Sequence, residues 1–152
     1  MPLAGIRAAL KTTLEGVASV GIVTAYEPLT TRREHFESYF KHAALAYMQG
    51  WTIMRESSLE TTRNQARTND RRHLMVIRGY RTIDSQGASE AAFQDLVESV
   101  CDAFRAKEND QLDGQADLVG PPSVRIFEPR DFAGYLVHYV EIAMPIVEAK
   151  TF

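Results

Sequence analysis

The chain has only one cysteine, Cys101. A lone thiol closes no internal disulfide, so the fold must be held by packing, and the usage fits a reducing compartment. No apolar run approaches the roughly 20 residues that a helix needs to cross a bilayer, so no transmembrane helix is expected. The opening "MPLAGIRAALKTTLEGV" lacks a continuous apolar stretch followed by a cleavage site, so no secretory leader is expected either. Neither sign of charge is in excess: 17 Lys and Arg stand against 20 Asp and Glu. That is far from the basic balance of a dedicated nucleic-acid binder.

The catalogue of chemical motifs is equally bare. There is no G-x-G-x-x-G, no Walker loop and no G-x-S-x-G. The histidines His35, His42, His73 and His138 form no H-x-x-x-H pair and no Cys/His cluster, so no metal-ligand spacing is present. Asp110, Asp113 and Asp117 share a loop with Gly114 but lack the ligand order of a calcium loop. Cys101 has no base placed beside it and reads as a packing thiol. His138, mid-strand among apolar neighbours, reads as a hydrogen-bonded core or interface histidine, with Glu141 on the opposite strand face. The expectation is therefore no catalytic residue, no cofactor and no metal.

What is present is patterned apolar surface. At 152 residues, with 45% hydrophobic and 24% charged residues, the chain suits one globular domain spanning 1–152. Ile6, Leu10, Leu14 and Val17 recur at helical spacing over 6–17. Residues 18–26 are β-branched and extended, and 27–31 break the pattern. Phe36, Tyr39, Phe40, Ala43, Ala44 and Tyr47 favour a helical stripe in 32–48, at least through Ala44, although several of the aromatic side chains also suit a strand. A strand starts at Gly50–Trp51. Residues 61–72, "TTRNQARTNDRR", are polar throughout and read as the tip of a long hairpin or a loop. Residues 73–83 return to strand composition, with Leu74–Ile77 apolar on both faces.

The clearest helix spans 88–106, striped by Phe93, Leu96, Val97, Val100 and Phe104. Ser85 or Ser89 is its candidate cap, and Glu90 suits its dipole. Residues 107–122 read as a loop, 123–127 as a short strand, 128–134 as a turn, and 135–144 as the last strand, with Pro145 breaking its ladder. The predicted class is α+β: a mainly antiparallel sheet with two to three helices packed on it, a long protruding hairpin and a C-terminal β-hairpin.

The last strand raises a problem of cover. Leu136, His138, Val140, Ile142 and Met144 share one face; Tyr135, Val137, Tyr139, Glu141 and Ala143 share the other. Two confident helices leave part of such a sheet bare, and large bare apolar patches mark interfaces. The expectation is a homo-oligomer in which Tyr135, Val137, Tyr139 and Glu141 form a subunit interface. The arginines Arg63, Arg67, Arg71 and Arg72 would form a partner-facing loop. Pro129, Arg130 and Phe132 would make contacts at the turn.

Three stretches carry a family likeness: the "GW" strand start with "TIMRE", "HLMVIRGYRTIDSQGASEAAFQDLVESVCDAFRA", and "LVGPPSVRIFEPRDFAGYLVHYVEIAMPIVE". Together they resemble the tail terminators of tailed bacteriophages, also called head–tail joining or tail completion proteins. The likeness covers roughly residues 50–148 and is looser before them. It implies a structural virion protein and not an enzyme. Such a subunit forms a ring, hexameric in the family, that caps the tail tube, stops its growth and joins it to the head connector. The implied partners are further copies of itself, the tail tube protein and a connector or neck protein. DNA passes through the lumen without sequence-specific binding, and no membrane is involved. The implied location is the virion neck, assembled in the host cytoplasm. The family carries no catalytic residues to transfer. The alternatives are another neck or head-completion adaptor, or a small oligomeric enzyme or ligand-binding protein.

Overall fold

The computed structural model describes residues 3–25, 47–63, 68–83, 87–106, 117–118, 120–132 and 135–151. In chain order the elements are α1 (Leu3–Glu15), β1 (Ile22–Thr24), β2 (Gln49–Arg63), β3 (Thr68–Thr82), α2 (Ala88–Arg105), β4 (Asp117–Leu118), β5 (Ser123–Phe132) and β6 (Tyr135–Thr151). The class is α+β, with two helices and a six-stranded, mostly antiparallel sheet among the described residues. Of the helix expected over 32–48, residues 32–46 lie outside the described residues. Met48, at its expected end, is extended: its carbonyl accepts a hydrogen bond from the Thr82 amide.

The sheet order is β1-β2-β3-β6, with β4 and β5 end to end along the far side of β6. Among the described strands only β1 against β2 is parallel. The helices bury their apolar stripes on one sheet face. Ile6, Leu10 and Leu14 of α1 and Phe93, Val97, Val100 and Phe104 of α2 meet Trp51, Ile53, Met75, Ile77, Val140, Ile142, Met144 and Ile146. Cys101 is buried in the same core, and desolvation there raises its thiol pKa.

Trp51 pins three elements together. Its indole N–H donates to the Val20 carbonyl at 2.7 Å, and the Gln49 amide donates to Ser19 and Val20 at 2.7 Å. Its ring packs 5.7 Å from Phe93 and lies across Gly79, where a Cβ would sit 2.4 Å from the ring. Only a residue without a side chain leaves that space.

Four expectations change. Residues 61–63 and 68–72 are strand, not loop: β2 and β3 stay in register out to Arg63 opposite Thr68. The turn expected at 128–132 is the second half of β5, paired with β6 from Glu128–Tyr139 to Phe132–Tyr135. Pro145 does not end β6, which runs on to Thr151. It falls between the β5 pairing that stops at Ala143 and the β4 pairing that starts at Ile146, where a missing N–H leaves no gap in a ladder. Finally, Ser89 does not cap α2. Gly87, at φ 77, holds the N-cap position with no side-chain cap, while the Ser89 hydroxyl is 2.9 Å from His138 Nε2. Ser85 lies outside the described residues.

Candidate assembly surfaces

β2, β3 and β6 outrun the helices. From Arg55 to Thr61, every β2 residue is exposed whichever way it points. The three strands thus form an arm beyond the core, with β6 pairing β3 as far as Thr68–Thr151. The arm is held by cross-strand polar contacts rather than by apolar burial. Arg71 reaches Glu60 at 3.8 Å and Glu148 at 3.6 Å, and the buried His73 is 2.9 Å from Glu148. The Arg71–Glu60 pair, partly in water, contributes only about 0.2–1 kcal/mol.

Both lateral edges of the sheet are open among the described residues. β1 covers β2 only from Gly50 to Thr52. Just beyond, Arg7 of α1 donates to the Ile53 and Ala25 carbonyls at 2.6 Å. From Met54 onward no described strand pairs with the outer side of β2. On the opposite side of the sheet, β5 pairs only with β6.

The expected interface residues sit elsewhere than the sequence argument put them. Val137, Tyr139 and Glu141 are 0%, 2% and 5% exposed in the single chain. They present no free surface, which corrects the premise that this face needs a neighbour to cover it. Val137 and Tyr139 pack with Tyr80, Met48 and Ile126, and the Tyr80 and Tyr139 rings lie 5.2 Å apart. Arg130 stacks 4.1 Å above the Tyr139 ring while binding Glu128 at 2.7 Å. Tyr135 pairs with Phe132 at the start of β6, and Pro129 pairs with His138. Arg130 therefore lies over this face from strand β5 rather than in a turn, with 44% of its side chain exposed.

Glu141 lies at the centre of that face. Tyr139 donates its hydroxyl to it, Arg125 donates at 2.9 Å, and Arg78 lies at 3.6 Å. Arg125 also pairs with Glu56 of β2. Burial pushes the Glu141 carboxyl upward, but the Tyr139 and Arg125 hydrogen bonds and both guanidinium charges outweigh it, leaving its pKa below the usual range. The same burial and the same bond raise the Tyr139 phenol. The network ties β2, β3, β5 and β6 across the sheet. Its charges are matched, so it is built for closure.

Of the expected partner-facing arginines, Arg63 ends β2, Arg71 and Arg72 lie on β3, and Arg67 falls outside the described residues. Arg71 is engaged with Glu60 and Glu148, whereas Arg72 is exposed and makes no ion pair among the described residues. Leu59, its β2 partner, is 61% exposed. The hairpin position was legible from polarity; the exposed Leu59 was not singled out, although it is the one large apolar side chain in "RESSLETTR".

One cleft was not foreseen. It is open, about 540 Å³, and lies between α2 and β5, lined by Glu90, Gln94, Asp95, Glu98, Val124 and Phe127. Val124 is 41% exposed there. Among the described residues no group of three or more His, Cys, Asp or Glu side chains is placed to hold a metal ion, and no helix is long and apolar enough to cross a membrane. No protein-family model and no curated protein sequence matches this chain.

Proposed function

We propose that this chain is a structural subunit of a tailed-phage neck, a tail terminator. It assembles as a ring on the end of the tail tube, halts tube growth and presents a surface to the head connector. The observation that carries the reading is the arm: among the described residues β2 runs on past the core with Arg55–Thr61 exposed on both faces and its outer edge unpaired from Met54. A surface of that kind suits completion by neighbouring chains, since an unpaired edge is a template for strand pairing. The sequence resemblance supplies the class of assembly, and the α+β order of elements agrees with it.

In this reading the partners are other copies of the chain, the tail tube protein and a connector or neck protein. DNA crosses the lumen without base-specific contact, and the site of action is the virion neck after assembly in the host cytoplasm. Neither a cofactor nor a bond-making step is needed, because capping is a matter of shape and contact.

The experiment is negative-stain microscopy of purified tail tubes mixed with the protein. The expected result is ring density on one end of each tube, with tubes that no longer lengthen when fresh tube protein is added. Bare ends and continued growth at saturating protein would reject the reading.

A further inference from the structure

We propose that the outer half of the β2–β3 arm of one copy seats in the cleft between α2 and β5 of the next copy, so that the subunits associate head to tail. The proposal rests on the ring reading only in requiring copies to meet; the two surfaces are identified from this structure alone. The first surface is the arm face where Leu59 stands directly opposite Arg72. Leu59 is 61% exposed, and Arg72 is exposed with no ion pair among the described residues. Residues 55–72 contain five arginines and three acids. The second surface is the cleft, where Val124 and Phe127 are flanked by Glu90, Asp95 and Glu98. Residues 88–105 contain four acids and one arginine.

The cleft thus pairs apolar area with acids, and the arm face sets Leu59 beside the cation Arg72, with Asp70 two residues further on the same face. Leu59 against Val124 and the half-buried Phe127 would bury two of the three large apolar side chains exposed among the described residues, Leu136 being the third. Arg72 against Glu90 and Glu98 would set the register and favour encounter. The two surfaces also lie toward opposite edges of the sheet. An arm and a cleft are different patches, so the contact is heterologous, and heterologous contacts close into rings or run on as filaments. The nine residues of β2 from Arg55 to Arg63 reach about 30 Å when extended, long enough to cross a neighbour's cleft.

Two measurements on the full-length protein decide the matter. In the first, analytical ultracentrifugation compares wild type, Arg72→Glu, the double variant Glu90→Lys with Glu98→Lys, and the chain carrying all three changes. Each reversal set alone is expected to weaken self-association about tenfold or more, and the combined chain to recover most of the loss. All of these positions are exposed, and circular dichroism confirms that each variant is folded. In the second, Leu59→Cys with Val124→Cys in one chain is oxidised and then reduced; the expected product is a reversible ladder of covalent multimers. A chain that stays monomeric at several hundred micromolar overturns the proposal, as does an oligomer indifferent to the charge reversals or a crosslink confined to single chains. Tube capping by a protein that fails these tests would leave the neck reading standing with a different contact; loss of capping in the microscopy would remove the neck reading whatever the crosslinks show.

Discussion

On one side of β6, Val140, Ile142, Met144 and Ile146 lie in a continuous apolar core beneath α1 and α2. On the other, Val137 and Tyr139 form a small cluster with Tyr80, and the rest of the face is closed by Glu141, Arg78, Arg125 and Arg130. The first side is sealed by volume and the second by matched charge lying over aromatic rings. The difference matters because the two seals fail differently. A packed core loses stability in proportion to the cavity left behind and is nearly indifferent to pH. A charge seal loses stability when one partner is removed and titrates with its members.

Trp51→Ala gives the largest expected effect, about 3–5 kcal/mol of lost stability. It empties the space across Gly79, removes the ring against Phe93 and takes away one of the two hydrogen bonds that the Val20 carbonyl accepts, leaving that from Gln49. Denaturant midpoints at pH 5 and pH 8 are expected to fall by the same amount. A loss that differed strongly between the two would mean that the core side is not the pH-insensitive side.

Glu141→Ala comes next, at about 3 kcal/mol. That is the low end for breaking a buried ion pair, because Arg78 and Arg125 keep 28% and 34% of their side-chain surface in water. Since the folded-state pKa of Glu141 is lowered, its contribution is present above the ordinary carboxylate value of about 4.3 and is lost as pH falls below it. Glu141→Gln should therefore flatten the acid limb of a stability–pH curve. Parallel acid limbs in wild type and variant would show that the carboxylate is not a keystone of the second face.

Tyr139→Phe tests the same seal more gently. It keeps the ring under Arg130 and removes only the bond to Glu141, for an expected loss of about 1.5 kcal/mol at neutral pH. The raised phenol pKa means that this contribution is full below about pH 10 and lost above it. The gap between wild type and Tyr139→Phe is thus expected to narrow in alkaline buffer, measured by urea midpoints at pH 8 and pH 10.5. A constant gap would sink this account of the bond.

These two sides were not equally readable beforehand. Phe93, Val97, Val100 and Phe104 repeat at helical spacing, and Leu74–Ile77 form a β-rich run, so the helix-covered core could be assembled on paper. The cover of Tyr139 could not. It comes from Tyr80, Arg125 and Arg130, which are polar or amphipathic residues whose burial depends on strand order and register rather than on local pattern. Residues 61–72 hid their strands for a related reason: the arm carries no apolar alternation, because it has no core to face. Pro129 and Pro145 misled because a proline breaks only a ladder that needs its N–H. Pro129 lies on the edge strand β5, and Pro145 falls between two pairing partners. The α2–β5 cleft required knowing that β5 runs beside α2, which no spacing in either segment reveals.

The smallest expected effect on folding is at the arm, and it sharpens the contrast between a sealed sheet and an open one. Leu59 is 61% exposed and outside both apolar clusters. Leu59→Ser should change the stability of the monomer by no more than about 0.5 kcal/mol, because no cavity forms and no partner is lost. The same substitution should weaken self-association, since it removes the apolar part of the arm's contact while leaving Arg72 in place. Denaturant midpoints at low protein concentration and light scattering at high concentration separate the two quantities. A drop of more than 1 kcal/mol in the dilute sample would mean that the arm is packed within its own chain, and the distinction between a closed body and an open arm would fall with it.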